Sequence, residues 1–259
     1  MSAGAGNGIG RHVALQLLRE GARVAGVDLS EKGLAETASL AAAGERLSTH
    51  VIDIADRDAV AALPAQVVAA HGKVDGILNV AGVIQQFVKV IDLPYAEIEK
   101  VMNVNFWGVV NIVKAFLPDL VARPAAAIVN VSSMGALAPV PGQAVYGASK
   151  AAVSLLTQAL YAEMMGTNVA VTVVYPGAIG TNIAANSGVS IGGGHAAAQE
   201  GAGKTTSPGK AADVIVQALR KGSYRATIGG DAGGLDKLSR FSPKLATETI
   251  AKKMAQLLG

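Results

Sequence analysis

Residues 4–28 read GAGNGIGRHVALQLLREGARVAGVD, and this stretch decides the fold. Its glycines allow the backbone to turn tightly and to approach a phosphate closely. The apolar spacing after them predicts a helix, whose N-terminus supplies amide donors and the positive end of a dipole. The segment from Arg23 then reads as a strand that ends in Asp28. A glycine-rich turn, a helix and a strand ending in a carboxylate together predict one end of a nucleotide-binding α/β sheet.

The end of this strand bears on the choice of nucleotide. A carboxylate at Asp28, eighteen residues after Gly10, can accept both hydroxyls of an adenosine ribose and would repel a 2′-phosphate. Neither Leu29 nor Ser30 supplies the cation that such a phosphate needs. The segment therefore favours NAD over NADP. A structural turn would resemble the glycine cluster alone, so the interpretation depends on the strand that follows it.

Strand-like and helix-like segments alternate along the chain as far as Pro176. After the first strand, the predicted strands are 47–52, 75–80, 126–132 and 168–175. One predicted helix follows the first strand and ends near 43, and the others span 56–71, 95–121 and 145–165. Strict alternation is typical of βαβ units, which build a parallel sheet with helices on both faces. Right-handed crossovers then give a doubly wound, Rossmann-like α/β fold.

The pattern changes after Pro176. Residues 182–208 are rich in Gly, Ala and Ser and predict a lid over a substrate pocket. A helix over 209–221, a short strand over 225–228 and a C-terminal helical region over 234–259 follow. The sequence shows no repeat and no convincing boundary, so we expect a single nucleotide-binding domain over 1–259.

Composition narrows the functional classes. Hydrophobic residues make up 51% of the chain and charged residues 16%, as buried parallel strands require. Cys is absent, which excludes a thiol nucleophile and a thiolate metal site. The four His show no ligand spacing, so we expect no metal. The sequence shows no signal segment and no uncharged run long enough to cross a bilayer, and it favours a cytoplasmic enzyme.

Charge is distributed unevenly. From Gly201 onward there are ten Lys/Arg and four Asp/Glu, whereas the whole chain has a net charge of +3. A basic end of this kind is more often a solvated face than a binding surface, although contact with an anionic membrane surface stays open. The sequence has no nucleic-acid reading motif, so we expect no nucleic-acid partner.

Residues 146–150 read YGASK and carry the chemistry. Positions four apart are neighbours on a helix, so the ammonium of Lys150 is expected to lie beside the phenol of Tyr146. A neighbouring cation stabilises the phenolate and lowers its pKa, which would make Tyr146 a general acid/base. Ser133 stands thirteen positions upstream. A surface Tyr and a surface Lys would give the same spacing by chance, and the order of the surrounding motifs argues against that reading.

With these residues in place, the chain resembles the compact, single-domain branch of the short-chain dehydrogenase/reductases over nearly its whole length. The motifs that match, in the family's order, are Gly4, Gly8 and Gly10, the adenine-contacting pair Asp53-Ile54, the element Asn79-Val80-Ala81-Gly82, the helix residue Asn105, Ser133, the pair Tyr146 and Lys150, and the loop Pro176-Gly177-Ala178-Ile179-Gly180-Thr181. Each motif has a structural alternative when taken alone. Asn79 could brace a strand end, Asn105 could mark a helix kink, and Ser133 could form a turn.

The resemblance implies hydride transfer between NAD and a secondary alcohol or ketone, with the nicotinamide carrying the hydride. Tyr146 would exchange the proton with the substrate oxygen, and Ser133 would donate a hydrogen bond to that oxygen. Lys150 would lower the pKa of Tyr146 and hold the nicotinamide ribose. Asn105 would order a water that links Lys150 to solvent.

The resemblance also assigns binding residues and an assembly. It places against the cofactor Gly4, Gly6, Asn7, Gly8, Ile9, Gly10, Asp28, Leu29, Asp53, Ile54, Asn79, Ala81, Gly82, Tyr146, Lys150, Pro176, Gly177, Ile179 and Thr181. It places against the substrate Ser133, Gln143 and Tyr146. It further implies a homodimer or homotetramer built on helices 95–121 and 145–165.

Two features depart from the family pattern. Val80 replaces the second Asn of the family's Asn-Asn-Ala-Gly element, and Ala3 replaces the Thr that usually begins the glycine motif. Only residues 1–3 precede the glycine cluster, so the family's first strand looks truncated and two rows of backbone groups are expected to lose partners. A start codon placed too late, a truncated chain and a genuine variant with an impaired nucleotide pocket would each explain this; we favour the first.

The expected pocket wall favours an apolar substrate. It comprises 83–87, 134–137, Gln143 and the lid, and it is mostly small or apolar, with Gln85, Gln86 and Gln143 as polar exceptions. We therefore expect a steroid-, lipid- or terpenoid-like alcohol or ketone rather than a small sugar. The main alternative is a catalytically impaired nucleotide-binding or scaffold protein of the same fold; a nucleotide-sugar epimerase is the other.

Overall fold

A seven-stranded parallel sheet forms the centre of the molecule. The computed structural model describes residues 1–189 and 205–254, without the side chains of residues 253 and 254. The strands are β1 (Ser2–Ala3), β2 (Val24–Asp28), β3 (Leu47–Val51), β4 (Gly76–Asn79), β5 (Ala126–Val131), β6 (Val169–Pro176) and β7 (Arg225–Ile228). Their order across the sheet is β3-β2-β1-β4-β5-β6-β7, and every pairing is parallel. The prediction of a doubly wound parallel sheet is confirmed.

The first strand is short, yet it occupies its central place. Ser2 and Ala3 pair with Gly26 and Val27 on β2 and with Leu78 and Asn79 on β4. The Ala3 carbonyl accepts hydrogen bonds from the amides of Val80 and Ala81, at 3.2 and 3.1 Å. Ser2 and Ala3 therefore provide backbone hydrogen-bond partners to β2 and β4 next to the glycine cluster, where the sequence predicted that such partners would be lost.

Helices cover both faces of the sheet. They are α1 (Gly8–Arg19), α2 (Glu31–Ala41), α3 (Arg57–His71), α4 (Tyr95–Met102), α5 (Gly108–Val121), α6 (Ala144–Met164), α7 (Ile183–Asn186), α8 (Pro208–Lys221), α9 (Gly230–Phe241) and α10 (Pro243–Met254). The larger apolar core lies under α3, α5 and α6, and two further clusters lie under α1, α2 and α8. Apart from the C-terminal region, the helices and strands predicted from the sequence begin and end within two residues of those observed.

One long helix is interrupted in its middle. A π-helical turn, Asn103–Trp107, joins α4 to α5 and contains the buried residue Asn105. Among the described residues, Tyr95–Val121 is long and apolar enough to cross a membrane by length and composition. Its α5 half carries Ile112, Phe116 and Leu120, which are fully buried in the larger core, so this half packs as a core helix of the sheet.

The C-terminal helices pack near the carboxyl ends of the strands. Leu235 of α9 and Ala246 of α10 form a small apolar cluster with Ala138, and Met134 packs against it. The predicted lid, 182–208, is described only at its two ends, because 190–204 lie outside the described residues. The last five residues of the predicted C-terminal region, 255–259, also lie outside them.

Candidate active site

The predicted site residues converge because parallel strands end at the same edge of the sheet. Asp28, Asn79 and Pro176 are the last residues of β2, β4 and β6, and Ser133 follows β5 by two positions. In doubly wound sheets, ligands bind outside this edge, where the strand order reverses. Here the reversal lies between β1 and β4, directly behind the glycine cluster.

A cavity of about 610 Å³ opens at this reversal. Many of the predicted cofactor residues line it, namely Gly4, Gly6, Asn7, Gly8, Ile9, Gly10, Asp28, Leu29, Asp53, Ile54, Ala81, Gly82 and Thr181. The other predicted cofactor residues, Asn79, Tyr146, Lys150, Pro176, Gly177 and Ile179, lie outside this lining. The cavity therefore accounts for the nucleotide end of the predicted site and stops short of the predicted catalytic side chains.

The glycines of the cluster are required by close backbone approaches. Gly4 has φ +85°, and a Cβ there would lie 2.8 Å from the amide nitrogen of Ala81. A Cβ on Gly10 would clash with the carbonyl oxygen of Gly4. Gly8 begins α1 with φ +52°, so the helix N-terminus opens directly onto the cavity. The cluster thus forms the cradle in which backbone amides can meet a pyrophosphate.

Two backbone amides fix the carboxylate of Asp28. Oδ2 accepts from the amide of Gly6 at 2.8 Å, and Oδ1 accepts from the amide of Ser30 at 2.9 Å. A Cβ on Gly6 would lie 2.7 Å from the carboxylate carbon, so only glycine allows this approach. The side chain is therefore held at the cavity wall before any ligand arrives.

Sequence reasoning missed two cations at this wall, Arg11 and Lys32. Arg11 is engaged with the carboxylate of Glu36 at 2.8 Å and donates to the hydroxyl of Thr37 at 3.0 Å. These partners leave its guanidinium committed to the junction of α1 and α2. The sequence shows Arg11 directly after Gly10 and Lys32 near the start of α2. Only the fold shows that both residues lie at the cavity wall.

Asn79 and Asn105 both lie in hydrogen-bond networks within the protein. Asn79 donates to the side chain of Asn130 at 2.8 Å, and Asn130 donates to Thr157 at 3.0 Å, so this chain braces β4 and β5 against α6. Asn105 accepts from the amide of Val83 at 2.8 Å and donates to its carbonyl at 2.9 Å. The π-turn thereby clamps the segment that follows β4.

Ser133 and Tyr146 are in contact just beyond the end of β5, and Lys150 bonds the last residue of that strand, Val131. Burial raises the pKa of Tyr146, and a hydrogen bond from Ser133 opposes that rise. The sequence predicted the opposite direction, because a neighbouring Lys is visible in the spacing whereas the burial of the phenol is not. Lys150 is 3% exposed and donates to the Val131 carbonyl at 3.1 Å, and burial lowers its pKa to about 8.

Lys150 and Asn105 face a common space beside Gly82. A Cβ on Gly82 would lie 3.0 Å from Nζ of Lys150 and 3.2 Å from Oδ1 of Asn105. A single polar atom placed there would be within hydrogen-bond reach of both side chains. Both side chains therefore face the same point on the cavity wall, at Gly82.

The loop after β6 is tied to the C-terminal helices. The carboxylate of Asp231, at the start of α9, accepts from the amide of Ala178 at 2.7 Å. A Cβ on Gly177 would clash with that carboxylate, so the glycine of this loop is required by the contact. Ile179 forms an isolated bridge with Thr206, which joins this loop to the second described end of the predicted lid.

The described start of the lid lies against the segment after Gly82. Oγ of Ser187 accepts from the amide of Ile84 at 3.0 Å, and Lys100 donates to the Ser187 carbonyl at 3.1 Å. Ile183 and Asn186 of α7 line the cavity. The lid's first turn therefore forms part of the nucleotide cavity wall, which sequence reasoning did not assign.

The side of the site beyond Ser133 is apolar. Met134 follows Ser133 and contacts the cluster formed by Ala138, Leu235 and Ala246. Gln143 is buried, and its side chain donates to the carbonyl of Gln85 at 2.7 Å rather than standing free.

The sequence and the fold both have known relatives. The family model for short chain dehydrogenases matches residues 2–190. The putative oxidoreductase SadH of Mycobacterium tuberculosis is 39% identical, over 98% of this chain and 94% of its own. The 3-oxoacyl-[acyl-carrier-protein] reductase FabG of Thermotoga maritima is 33% identical, over 69% of this chain and 72% of its own.

A solved structure agrees with the fold across nearly the whole chain. A short chain dehydrogenase/reductase from Burkholderia phymatum, crystallised in complex with NAD, superposes with a TM-score of 0.85 and 25% identity, covering 95% of this chain and 94% of that one. With the family model, the relatives and the sheet order in agreement, this chain belongs to the short-chain dehydrogenase/reductase family of oxidoreductases.

Proposed function

We propose that this protein is an NAD-dependent oxidoreductase that transfers a hydride between nicotinamide and a secondary alcohol or ketone. The observation that supports the proposal is the contact between the hydroxyls of Ser133 and Tyr146 at the sheet edge that also bounds the nucleotide cavity, with Lys150 one helical turn further along α6. The name of the Burkholderia structure, which includes NAD, and the name of the Thermotoga relative, a 3-oxoacyl reductase, both support this reaction class.

The residues present fit NAD. The glycine cradle offers helix amides to a pyrophosphate, and the fixed carboxylate of Asp28 offers two acceptor oxygens to a ribose. Bound NAD(H) supplies the hydride acceptor or donor. The carboxylate of Asp28 favours NAD over NADP because it would repel a 2′-phosphate, and the pairing with Glu36 keeps Arg11, one of the two cations on this wall, from meeting that phosphate.

Tyr146 acts as the general acid when a ketone is reduced. With its pKa raised by burial, its phenol stays protonated at neutral pH and can give its proton to the carbonyl oxygen. Ser133 donates to the same oxygen and stabilises the charge that develops there. Tyr146 would regain its proton from solvent by way of Lys150 and a water ordered by Asn105 in the space beside Gly82, which both side chains face.

The substrate is an apolar ketone or alcohol of steroid, lipid or terpenoid type. Support comes from the apolar cluster beside Ser133, which includes Ala138, Leu235 and Ala246, with Met134 packed against it. Ala138, Leu235 and Ala246 are themselves buried, so Met134 is the member of this group that is placed to meet a substrate. The protein acts as a homodimer or homotetramer built on α4–α5 and α6, on which Trp107 and Leu155 are 45% and 70% exposed.

The deciding experiment follows NADH oxidation with a panel of apolar ketones, 3-oxoacyl thioesters and short sugars. We expect turnover of one or more apolar ketones by the wild type and none by Tyr146→Phe, while NADH binding by fluorescence stays nearly equal in the two. Turnover that persists in Tyr146→Phe contradicts the acid role. Tight NADH binding without turnover across the panel would instead favour the alternative, a nucleotide-binding protein of this fold that has lost catalysis.

A further inference from the structure

The segment Val83–Gln85 is held by side chains from three distant elements. The amide group of Asn105 bonds both the N–H and the carbonyl of Val83, and Ser187 accepts from the amide of Ile84. Gln143 donates to the carbonyl of Gln85 at 2.7 Å. This segment is therefore the junction of the π-turn, the start of the lid and the start of α6.

The side chain of Gln85 is fully buried at this junction. Its Oε1 accepts from the backbone amide of Tyr146 at 2.9 Å, and its Nε2 donates to the carbonyl of Gly142 at 3.2 Å. Because the donor and the acceptor are both engaged without competition from water, the amide has one preferred orientation. The side chain of Gln85 thus links this segment to the backbone at the start of the catalytic helix.

These bonds replace an ordinary helix cap. Tyr146 is the third residue of α6, and the N–H groups of a helix's first turn have no partner within the helix. A side chain at the N-cap usually accepts from such an N–H, but Gln143 at that position makes no capping bond. Gln85 accepts it across 61 residues of sequence, while the side chain of Gln143 donates to the backbone carbonyl of Gln85.

We propose that Gln85 is a positioning residue for Tyr146, because it caps the catalytic helix at the residue whose phenol must reach the substrate oxygen. The proposal rests on the role proposed above for Tyr146. Gln85 is absent from the lining of the nucleotide cavity, so we expect its loss to affect the proton-transfer geometry more than nucleotide binding.

The first test is Gln85→Met, which keeps the length of the side chain and removes both hydrogen bonds. We expect kcat to fall about 10- to 100-fold, since a misplacement near 1 Å costs on this order, while KM for NADH stays within about twofold. Val67→Ala is the control, because Val67 is buried in α3 away from the junction and its truncation lowers Tm without touching α6. A kcat in Gln85→Met no lower than in Val67→Ala overturns the proposal.

The second test uses Gln85→Glu as a pH-dependent rescue. A protonated Glu offers the same acceptor and donor as the amide, whereas an ionised Glu loses the donor and places a negative charge beside Tyr146. The ratio of its kcat to that of the wild type should therefore fall as pH rises, while the ratio for Gln85→Met stays flat. Tyr146 and Lys150, the titratable groups in the first two turns of α6, titrate in every variant and largely cancel in the ratio. A Gln85→Glu ratio that does not change with pH contradicts the assignment.

A third measurement needs no substrate. The ultraviolet difference between each protein and its Tyr146→Phe counterpart follows ionisation of this one phenol. Burial raises the pKa of Tyr146, so a first turn that frays and admits water should let the phenol ionise at lower pH in Gln85→Met than in the wild type or Val67→Ala. An unchanged titration overturns the positioning role. A titration that moves in a protein that turns over no ketone supports the positioning role and counts against the proposed function instead.

Discussion

At the residue scale, burial sets the chemistry of the two central side chains in opposite senses. It raises the pKa of Tyr146 and lowers the pKa of Lys150 to about 8, because it disfavours the charged form of each. A protonated phenol is the form that reduces a ketone, whereas alcohol oxidation needs the phenolate. Burial therefore favours the protonated phenol, which is the form that the proposed ketone reduction uses.

The buried ammonium of Lys150 should cost stability. The pKa of this ammonium group is near 10.5 in the unfolded chain and about 8 in the folded protein. At pH 7 the group is charged in both states, and burying that charge lowers the stability of the folded protein. We expect Lys150→Met to abolish turnover and to raise the free energy of unfolding at pH 7 by about 1–3 kcal/mol. Because the wild type regains stability as the pH rises from about 8 to 10.5, the gain should shrink over that window.

Thermal unfolding from pH 6 to pH 10.5 measures this difference. Lys114, on the neighbouring helix α5 and exposed to solvent, gives the control Lys114→Met, for which no such pH trend is expected. A Lys150→Met protein less stable than the wild type at every pH would show that the bond to Val131 outweighs the desolvation of the charge.

The carboxylate of Asp28 is expected to set cofactor preference. Asp28→Asn removes the charge and one acceptor, so NADH should bind about 10-fold more weakly, in line with about 1.5–3 kcal/mol for a hydrogen bond to a charged group. NADPH should bind no worse, because its 2′-phosphate no longer meets a carboxylate. Titration of both nucleotides by fluorescence measures the ratio. Glu36→Gln, at the same cavity wall, tests whether freeing Arg11 alone admits NADPH.

At the element scale, periodicity was enough to place the helices and strands. The strands are apolar runs that end in Asp28, Asn79 and Pro176, and their direction follows once the connections are helices, so the catalytic edge could be predicted as well. The contacts between helices, strands and loops could not be predicted from the sequence. The bond from Gln85 to Tyr146 spans 61 residues and depends on a loop path that no local pattern encodes. The raised pKa of Tyr146 depends on the surroundings that this packing creates.

The start of the lid provides a prediction at this scale. Ser187→Ala leaves the buried amide of Ile84 without a partner. This loss weakens the contact between the start of the lid and the segment after Gly82 by about 1–3 kcal/mol. Because α7 forms part of the cavity wall, NADH should dissociate about 10-fold faster, in proportion to that cost. Stopped-flow displacement of NADH measures the rate.

Ser154→Ala is the matched control for this rate. Ser154 is buried like Ser187, but its hydroxyl bonds Tyr175 and joins the middle of α6 to β6, with no bond to the lid. If the NADH dissociation rate rises equally in both variants, the loss of any buried serine hydroxyl destabilises the protein enough to release NADH. That result would contradict a specific role of the lid contact in holding NADH.

At the scale of the whole molecule, the exposed apolar side chains are distributed over several faces. Leu155 on α6 is 70% exposed, and Trp107 at the π-turn is 45% exposed. Single exposed apolar residues are common, but these two lie on the long helices through which the proposed assembly forms. Since the opposite faces of α5 and α6 are buried in the larger core, an assembly on the outer faces would leave the active sites open at the strand ends.

A charge placed at Leu155 should separate the protomers. Leu155→Glu puts a carboxylate into a face that a symmetric dimer contacts twice, so the penalty is doubled in the assembly and small in the free chain. We expect light scattering behind size exclusion to give one protomer mass for this variant at micromolar concentration and a multiple of it for the wild type. Leu40→Glu is the matched control, since Leu40 is 64% exposed on α2, away from these helices. If Leu40→Glu dissociates the assembly and Leu155→Glu does not, the interface lies on the α2 face, and the long helices would then have no part in assembly.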